Sequence, residues 1–345
     1  MAKLLNPSDT SLRTDKAEKP RLGFIGVGWI GRNRMEAIAQ SGLADIRLVT
    51  DPHPANALEV QKAVPGSRIV EDLSQLIQDP ELDGVVIATP SALHAEQSIR
   101  ALEAGKSVFC QKPLGRTAAE TKRVVEAARQ ADCLLMVDLS YRYIQAMERI
   151  HEVVRSSELG EIFAVDLVFH NAYGPDKPWF YDPSLSGGGC VIDLGVHLVD
   201  LALWTLGFPE IEEVSSHLFA KGKRITAADG VVEDFASASI GLQGGAHLQL
   251  SCSWNLPAGQ PAIIGATFYG TGGGAAFKNL KGSFYDFVAE RCYGTHTETL
   301  SGPPDEWPGR AGVEWVKRLA SGEKFDQGAE ELVKVAEVLD RIYGR

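Results

Sequence analysis

Apolar residues in the first 140 positions come in short runs separated by longer amphipathic stretches. Leu22–Ile25, Ile46–Thr50, Gly84–Ala88, Ser107–Cys110 and Leu134–Val137 read as buried strands. Between them, Asn33–Ala39, Leu93–Ala104 and Ala118–Ala131 read as helices. Strand–helix alternation predicts a parallel sheet with helices on both faces. After Arg142 the pattern changes. Ala146–Ser156 is helical, but Ile162–Asn171, Ile211–Ala220, Ala236–Leu242, Ala246–Ser253 and Ile263–Tyr269 are strand-like, divided by Gly, Pro or charged turns. Strands without intervening helices predict a mostly antiparallel sheet, and the region from Ile211 to Phe277 has too few helices to cover both its faces, so an apolar face is expected to be left for a second copy to bury. One apolar helix, Cys190–Leu206, interrupts them. Ser301–Arg310 reads as a loop and Ala311–Tyr343 as one or two amphipathic helices.

The predicted fold is therefore α/β: a doubly wound N-terminal domain over 21–140, then an α+β domain over 141–345 with a large open sheet. Residues 1–20 read as a flexible tail without the apolar core of a secretory signal. Right-handed crossovers place the loops after the N-terminal strands along one edge, where ligands bind in such sheets. Gly26, Asp51, Thr89 and Lys112 all follow strands.

Composition narrows the function. At 345 residues and 44% hydrophobic, the chain supports two ordinary cores. A net charge of −11 argues against nucleic acid or an anionic membrane as partner. No apolar stretch approaches the length of a membrane span. Five scattered cysteines without a CxxC read as reduced core thiols of a cytoplasmic protein.

Gly26, Gly28 and Gly31 lie between a strand and a helix. In that context the first allows a tight turn, the second admits a pyrophosphate, and the third lets helix and strand pack closely. Asp51, about 20 residues further on, is placed to accept from an adenosine ribose. Lys112 ends a buried strand and points to the ligand edge, with Pro113 restricting its turn. Asp193 and His197 share a face of the apolar helix behind Gly187-Gly188-Gly189. They read either as a satisfied core pair or as a catalytic one. The glycine run reads as room for a ligand to approach the helix. No metal-ligand spacing is present.

His170 to Asp182, with Tyr173 and Trp179, mixes aromatic and polar side chains. It suits a carbohydrate, and equally a loop packed on its own rings. Tyr141 and Arg142 are expected at the domain junction.

These motifs, together with Ala88-Thr89-Pro90-Ser91-Ala92-Leu93-His94 and Ala104-Gly105-Lys106-Ser107-Val108, resemble the Gfo/Idh/MocA oxidoreductases from Arg21 to the C-terminus. The resemblance implies an NAD(P)-binding Rossmann domain and a C-terminal α/β domain whose sheet forms dimers or tetramers. It implies cofactor contacts at Gly26, Gly28, Trp29, Ile30, Gly31, Asp51, Thr89, Pro90, His94, Gln111 and Lys112; the preference for NAD over NADP is expected from Asp51, which repels a 2′-phosphate and is followed by Pro52 and His53 with no Arg or Lys. It also implies hydride transfer to or from a secondary alcohol carbon of a sugar, polyol or inositol-like substrate. There His197 is the base, Lys112 holds the substrate oxygen, and Asp193 orients substrate or imidazole. Tyr141, Arg142, His170, Tyr173 and Trp179 are the candidate substrate residues. Two alternatives stand beside this one: an enzyme that retains NAD and oxidises a sugar transiently, and a cofactor-binding sensor. One departure is Gln111, where the family motif has Glu before Lys-Pro. It removes a carboxylate beside Lys112.

Overall fold

The computed structural model describes residues 19–345. The expected tail at 1–20 lies outside them, except for Lys19 and Pro20. The first domain runs β1 (Arg21–Ile25), α1 (Trp29–Ser41), β2 (Asp45–Thr50), α2 (Pro54–Ala63), β3 (Arg68–Ile69), α3 (Leu73–Ile77), β4 (Gly84–Ile87), α4 (Ser91–Glu103), β5 (Ser107–Cys110), α5 (Ala118–Ala131) and β6 (Leu135–Val137). Its sheet has the order β3-β2-β1-β4-β5-β6, with every pair parallel. Both faces are covered, so β4 and β5 are buried throughout and read as unbroken apolar runs. Val85, Ile87 and Val108 pack on one side; Phe24, Val86 and Phe109 pack on the other. Thr117 caps α5 by accepting from the Glu120 N–H, which fixes where that helix starts.

The second domain follows with α6 (Gln145–Arg155), β7 (Ile162–Asn171), α7 (Pro183–Ser186), a π-turn at Val191–Gly195, α8 (Val196–Leu206), β8 (Ile211–Ala220), β9 (Lys223–Ile225), β10 (Phe235–Leu242), β11 (His247–Ser253), β12 (Ala262–Gly270), β13 (Gly274–Asn279), β14 (Phe287–Tyr293) and β15 (His296–Ser301). These strands form one sheet, β15-β14-β13-β12-β7-β11-β10-β8-β9. It is antiparallel except where β7 meets β11. The sequence pattern missed β3, β9 and β13 to β15. Of these, β3, β9 and β15 lie at sheet edges, where charged and polar residues replace the alternation, while β13 and β14 are paired on both sides.

The chain then returns to the first domain. In α9 (Arg310–Ala320), Trp315 and Val316 join the core of Leu22 and Phe24. α10 (Glu331–Tyr343) packs on both α5 and α8.

Two expectations are corrected. The apolar face of the large sheet is not left open: α6, α8 and α10 cover it, and Leu248, Leu250 and Cys252 are fully buried. The uncovered face carries a mixture that includes Ser237, Gln249, Ser251, Val168 and Ile263. Second, one helical run, Pro183–Leu206, is long and apolar enough to cross a membrane, but 83% of its apolar window is buried inside the protein. It is a core helix.

Candidate active site

The turn after β1 is built by close approach. Gly26 has φ +79°, and a Cβ there would meet the Ala88 carbonyl at 2.6 Å. A Cβ on Gly31 would meet the Gly26 oxygen at 2.1 Å. Around Gly28 there is open space. α1 therefore starts at Trp29, earlier than the sequence pattern placed it, with its first N–H groups free of a side-chain cap. The Val27 N–H donates to Asp51 Oδ2 (2.7 Å), while the His53 N–H and the Asn56 amide donate to Oδ1 (2.8 and 3.1 Å). A cavity of about 1120 Å³ runs from Asp51, Glu71 and Asp72 past Gly28 and Thr89 to Lys112, Asp193 and His197. Its open glycine, helix N-terminus and ribose-side carboxylate fit a dinucleotide.

At the other end of the cavity the two domains meet. Lys112 Nζ donates to Asp193 Oδ1 at 2.6 Å and to the Asp193 carbonyl at 2.8 Å. Asp193 Oδ2 accepts from Trp254 Nε1 at 3.1 Å. His197 is buried, and its ring centroid lies 4.8 Å from that of Tyr141. Its Nδ1 has no hydrogen-bond partner. Burial above all, then the cations of Lys112 and Arg34, hold its pKa well below the usual imidazole range. His197 is thus neutral near pH 7. Asp193 makes no hydrogen bond to it; the carboxylate expected to orient substrate or imidazole holds Lys112.

The glycine run serves a different purpose from the one its sequence suggested. A Cβ on Gly188 would meet the Tyr343 hydroxyl at 2.0 Å, and one on Gly189 the Glu233 carbonyl at 1.9 Å. These glycines admit protein, not ligand. Buried Glu233 accepts from the N–H groups of Gly189 (3.0 Å) and Val191 (2.8 Å) and from the Tyr343 hydroxyl (2.8 Å). Tyr343 in turn accepts from the Ile192 N–H at 3.2 Å. The π-turn carrying Asp193 is anchored from behind.

Of the other candidates, Trp29, Ile30, Thr89, Pro90, Gln111, Tyr141 and Trp179 line the cavity. His94 also lines it, pinned between the carbonyls of Pro113 (2.6 Å) and Thr89 (2.7 Å). Gly31 acts through helix packing. Three candidates lie elsewhere. Arg142 pairs with buried Asp200 (2.5 Å), its guanidinium over Trp204 and Phe208. His170 accepts or donates to Ser253 Oγ (2.8 Å) and stacks on Phe235. Tyr173 is 61% exposed, outside the cavity. The sequence reading missed Arg34, Asp138, Trp254, Phe284, Tyr285 and Trp307; all but Trp254, which reaches Asp193, line the cavity. Among the described residues, no three His, Cys, Asp or Glu side chains gather to hold a metal ion.

Fold and site together define a two-domain oxidoreductase that uses a nicotinamide dinucleotide. The chain belongs to the Gfo/Idh/MocA family: "Oxidoreductase family, NAD-binding Rossmann fold" matches residues 20–139, and "GFO/IDH/MocA C-terminal domain" matches residues 147–276. It is 28% identical over 267 residues to the D-glucoside 3-dehydrogenase of Escherichia coli (strain K12), covering 74% of this chain and 76% of the relative. It is 30% identical over 202 residues to the levoglucosan dehydrogenase of Pseudarthrobacter phenanthrenivorans, covering 54% and 51%. The crystal structure of GenD2 from gentamicin A biosynthesis, in complex with NAD, is 26% identical, with a TM-score of 0.79 over 95% of both chains. Levoglucosan dehydrogenase in complex with NADH and levoglucosan shares the fold, with a TM-score of 0.82 at 23% identity over 95% of this chain and 96% of that one.

Proposed function

We propose that this enzyme oxidises a secondary alcohol carbon of a sugar, polyol or inositol-like substrate and prefers NAD to NADP. The observation that carries the reading is the convergence of Lys112, Asp193 and His197 in one cavity with the glycine turn. When bound, the nicotinamide supplies the hydride acceptor. The neutral imidazole of His197 takes the hydroxyl proton as general base. Lys112 gives two of its three N–H donors to Asp193, leaving the third for the substrate oxygen, whose growing negative charge it stabilises. Asp193, steadied by Trp254, fixes the direction of the ammonium. Trp179, Phe180, Tyr285 and Trp307 offer apolar faces to a sugar ring. Relatives named for the dehydrogenation of glucosides, levoglucosan and inositol support this substrate class.

Within this reading, residues 21–140 bind the cofactor, and 141–345 supply substrate contacts and a homodimer or homotetramer interface on the uncovered sheet face. Five free cysteines, four of them buried, support a reducing, cytoplasmic setting. A panel of sugars, polyols and inositols incubated with NAD, followed by NADH absorbance, tests the activity. NADH formation with one substrate group supports it. Substrate conversion without net NADH points to the NAD-retaining alternative. No conversion of any member overturns the reading.

A further inference from the structure

Arg34 on α1, Gln111 after β5 and Asp138 after β6 form a cluster in the wall of the cavity. All three are buried, Asp138 at 1% exposure. Arg34 Nε donates to Asp138 Oδ2 at 2.5 Å, and the Gln111 amide donates to the same oxygen. The other oxygen, Oδ1, is buried and accepts from nothing in the protein. A carboxylate oxygen without a donor is costly to bury, and folded proteins leave few of them. Glu233, the comparable buried carboxylate behind the site, uses both of its oxygens. Asp138 is one donor short.

Its place in the sheet says what that donor is. In this strand order one half of a dinucleotide lies over β1 to β3 and the other over β4 to β6. Asp51 marks the adenosine half. Asp138, just past the outermost strand of the second half, is bonded to Gln111, the residue before Lys112. The nicotinamide half of the cofactor carries a primary amide, which presents two N–H donors.

We propose that Asp138 accepts a hydrogen bond from the nicotinamide carboxamide, and that Arg34 and Gln111 hold this carboxylate in place. The proposal rests on the cofactor cleft assigned above. It also accounts for Gln111. A glutamate there would set a second anion against Asp138 Oδ2, whereas the amide donates to it. The carboxylate missing from the Glu-Lys-Pro motif stands one strand over.

Calorimetric titration of the full chain tests this with three ligands: NAD, ADP-ribose, and the 3-acetylpyridine analogue of NAD, whose methyl ketone has no N–H. The wild type should bind NAD about tenfold or more tighter than the analogue, the loss of a hydrogen bond to a charged group. Asp138→Asn keeps an acceptor for Arg34 and Gln111 but turns an NH2 towards the carboxamide. Its preference for NAD should fall to within about twofold, with ADP-ribose affinity unchanged. A variant that binds ADP-ribose normally and keeps the full preference overturns the proposal. So does a wild type that binds NAD and the analogue equally, which decides the matter even if the variant fails to fold. A wild type that binds neither NAD nor ADP-ribose overturns the cofactor cleft itself.

Discussion

Lys112 and Asp193, 81 residues apart in sequence, form a 2.6 Å ion pair that joins the two domains inside the cavity. In the proposed mechanism, Lys112→Ala removes the group that steadies charge on the substrate oxygen. Turnover should fall about 10²–10³-fold. Asp193→Asn leaves the lysine but loosens its direction, and turnover should fall by a smaller factor. Steady-state kinetics on both variants, with calorimetric NAD titration as control, checks the order of effects.

His197→Ala should lower turnover about 10²–10⁴-fold while NAD affinity stays within a small factor of wild type. A residue that only filled the core would behave differently: the variant would melt earlier, and its folded fraction would turn over normally. Melting temperature and turnover measured on one sample separate the two outcomes.

The depressed pKa of His197 has a sign in both activity and stability. The base stays neutral as pH falls through 6.5, so the acid limb of kcat/KM should lie well below the ordinary imidazole range. In the unfolded chain the same ring takes up a proton near pH 6.5, so the unfolded state binds more protons and stability declines as pH drops below that value. His94, also lowered by burial, acts in the same direction. Urea midpoints from pH 7.5 to 5 should fall in the wild type and fall less steeply in His197→Gln.

NAD should bind about tenfold or more tightly than NADP, because Asp51, Glu71 and Asp72 line the adenosine end of the cavity and repel a 2′-phosphate. Asp51→Ala should narrow the difference. It should also weaken NAD, since Asp51 holds the Val27 and His53 N–H groups. Dissociation constants for both cofactors settle it.

Light scattering at micromolar concentration should give a multiple of the 37.3 kDa chain mass. The uncovered sheet face, with Val168, Ile263 and Tyr269, is the expected contact. Ile263→Glu should shift the mass towards the monomer; an unchanged mass would move the interface elsewhere.

The parallel half of the fold was legible because its central strands are buried on both faces and read as unbroken apolar runs. The edge strands β9 and β15 were not, since a strand with one neighbour needs no apolar alternation. Lys112 stood out because it ends a buried strand, and Asp193 and His197 because a carboxylate and an imidazole share one face of an apolar helix. Arg142 was expected at the domain junction, but it pairs with Asp200, within the core. Trp254, Asp138 and Glu233 gave no signal. Their importance lies in whom they meet across the chain: Asp193, Gln111 and Gly189.

The Tyr343–Glu233 anchor also sets a timetable for synthesis. Tyr343 lies 151 residues downstream of Ile192, the backbone position it steadies. A ribosome delivers Lys112, Asp193 and His197 long before it delivers the hydroxyl that holds the π-turn from behind. The nascent chain therefore carries all three groups while the hydroxyl that backs the π-turn is still missing, and that hydroxyl is the last of the four to be made.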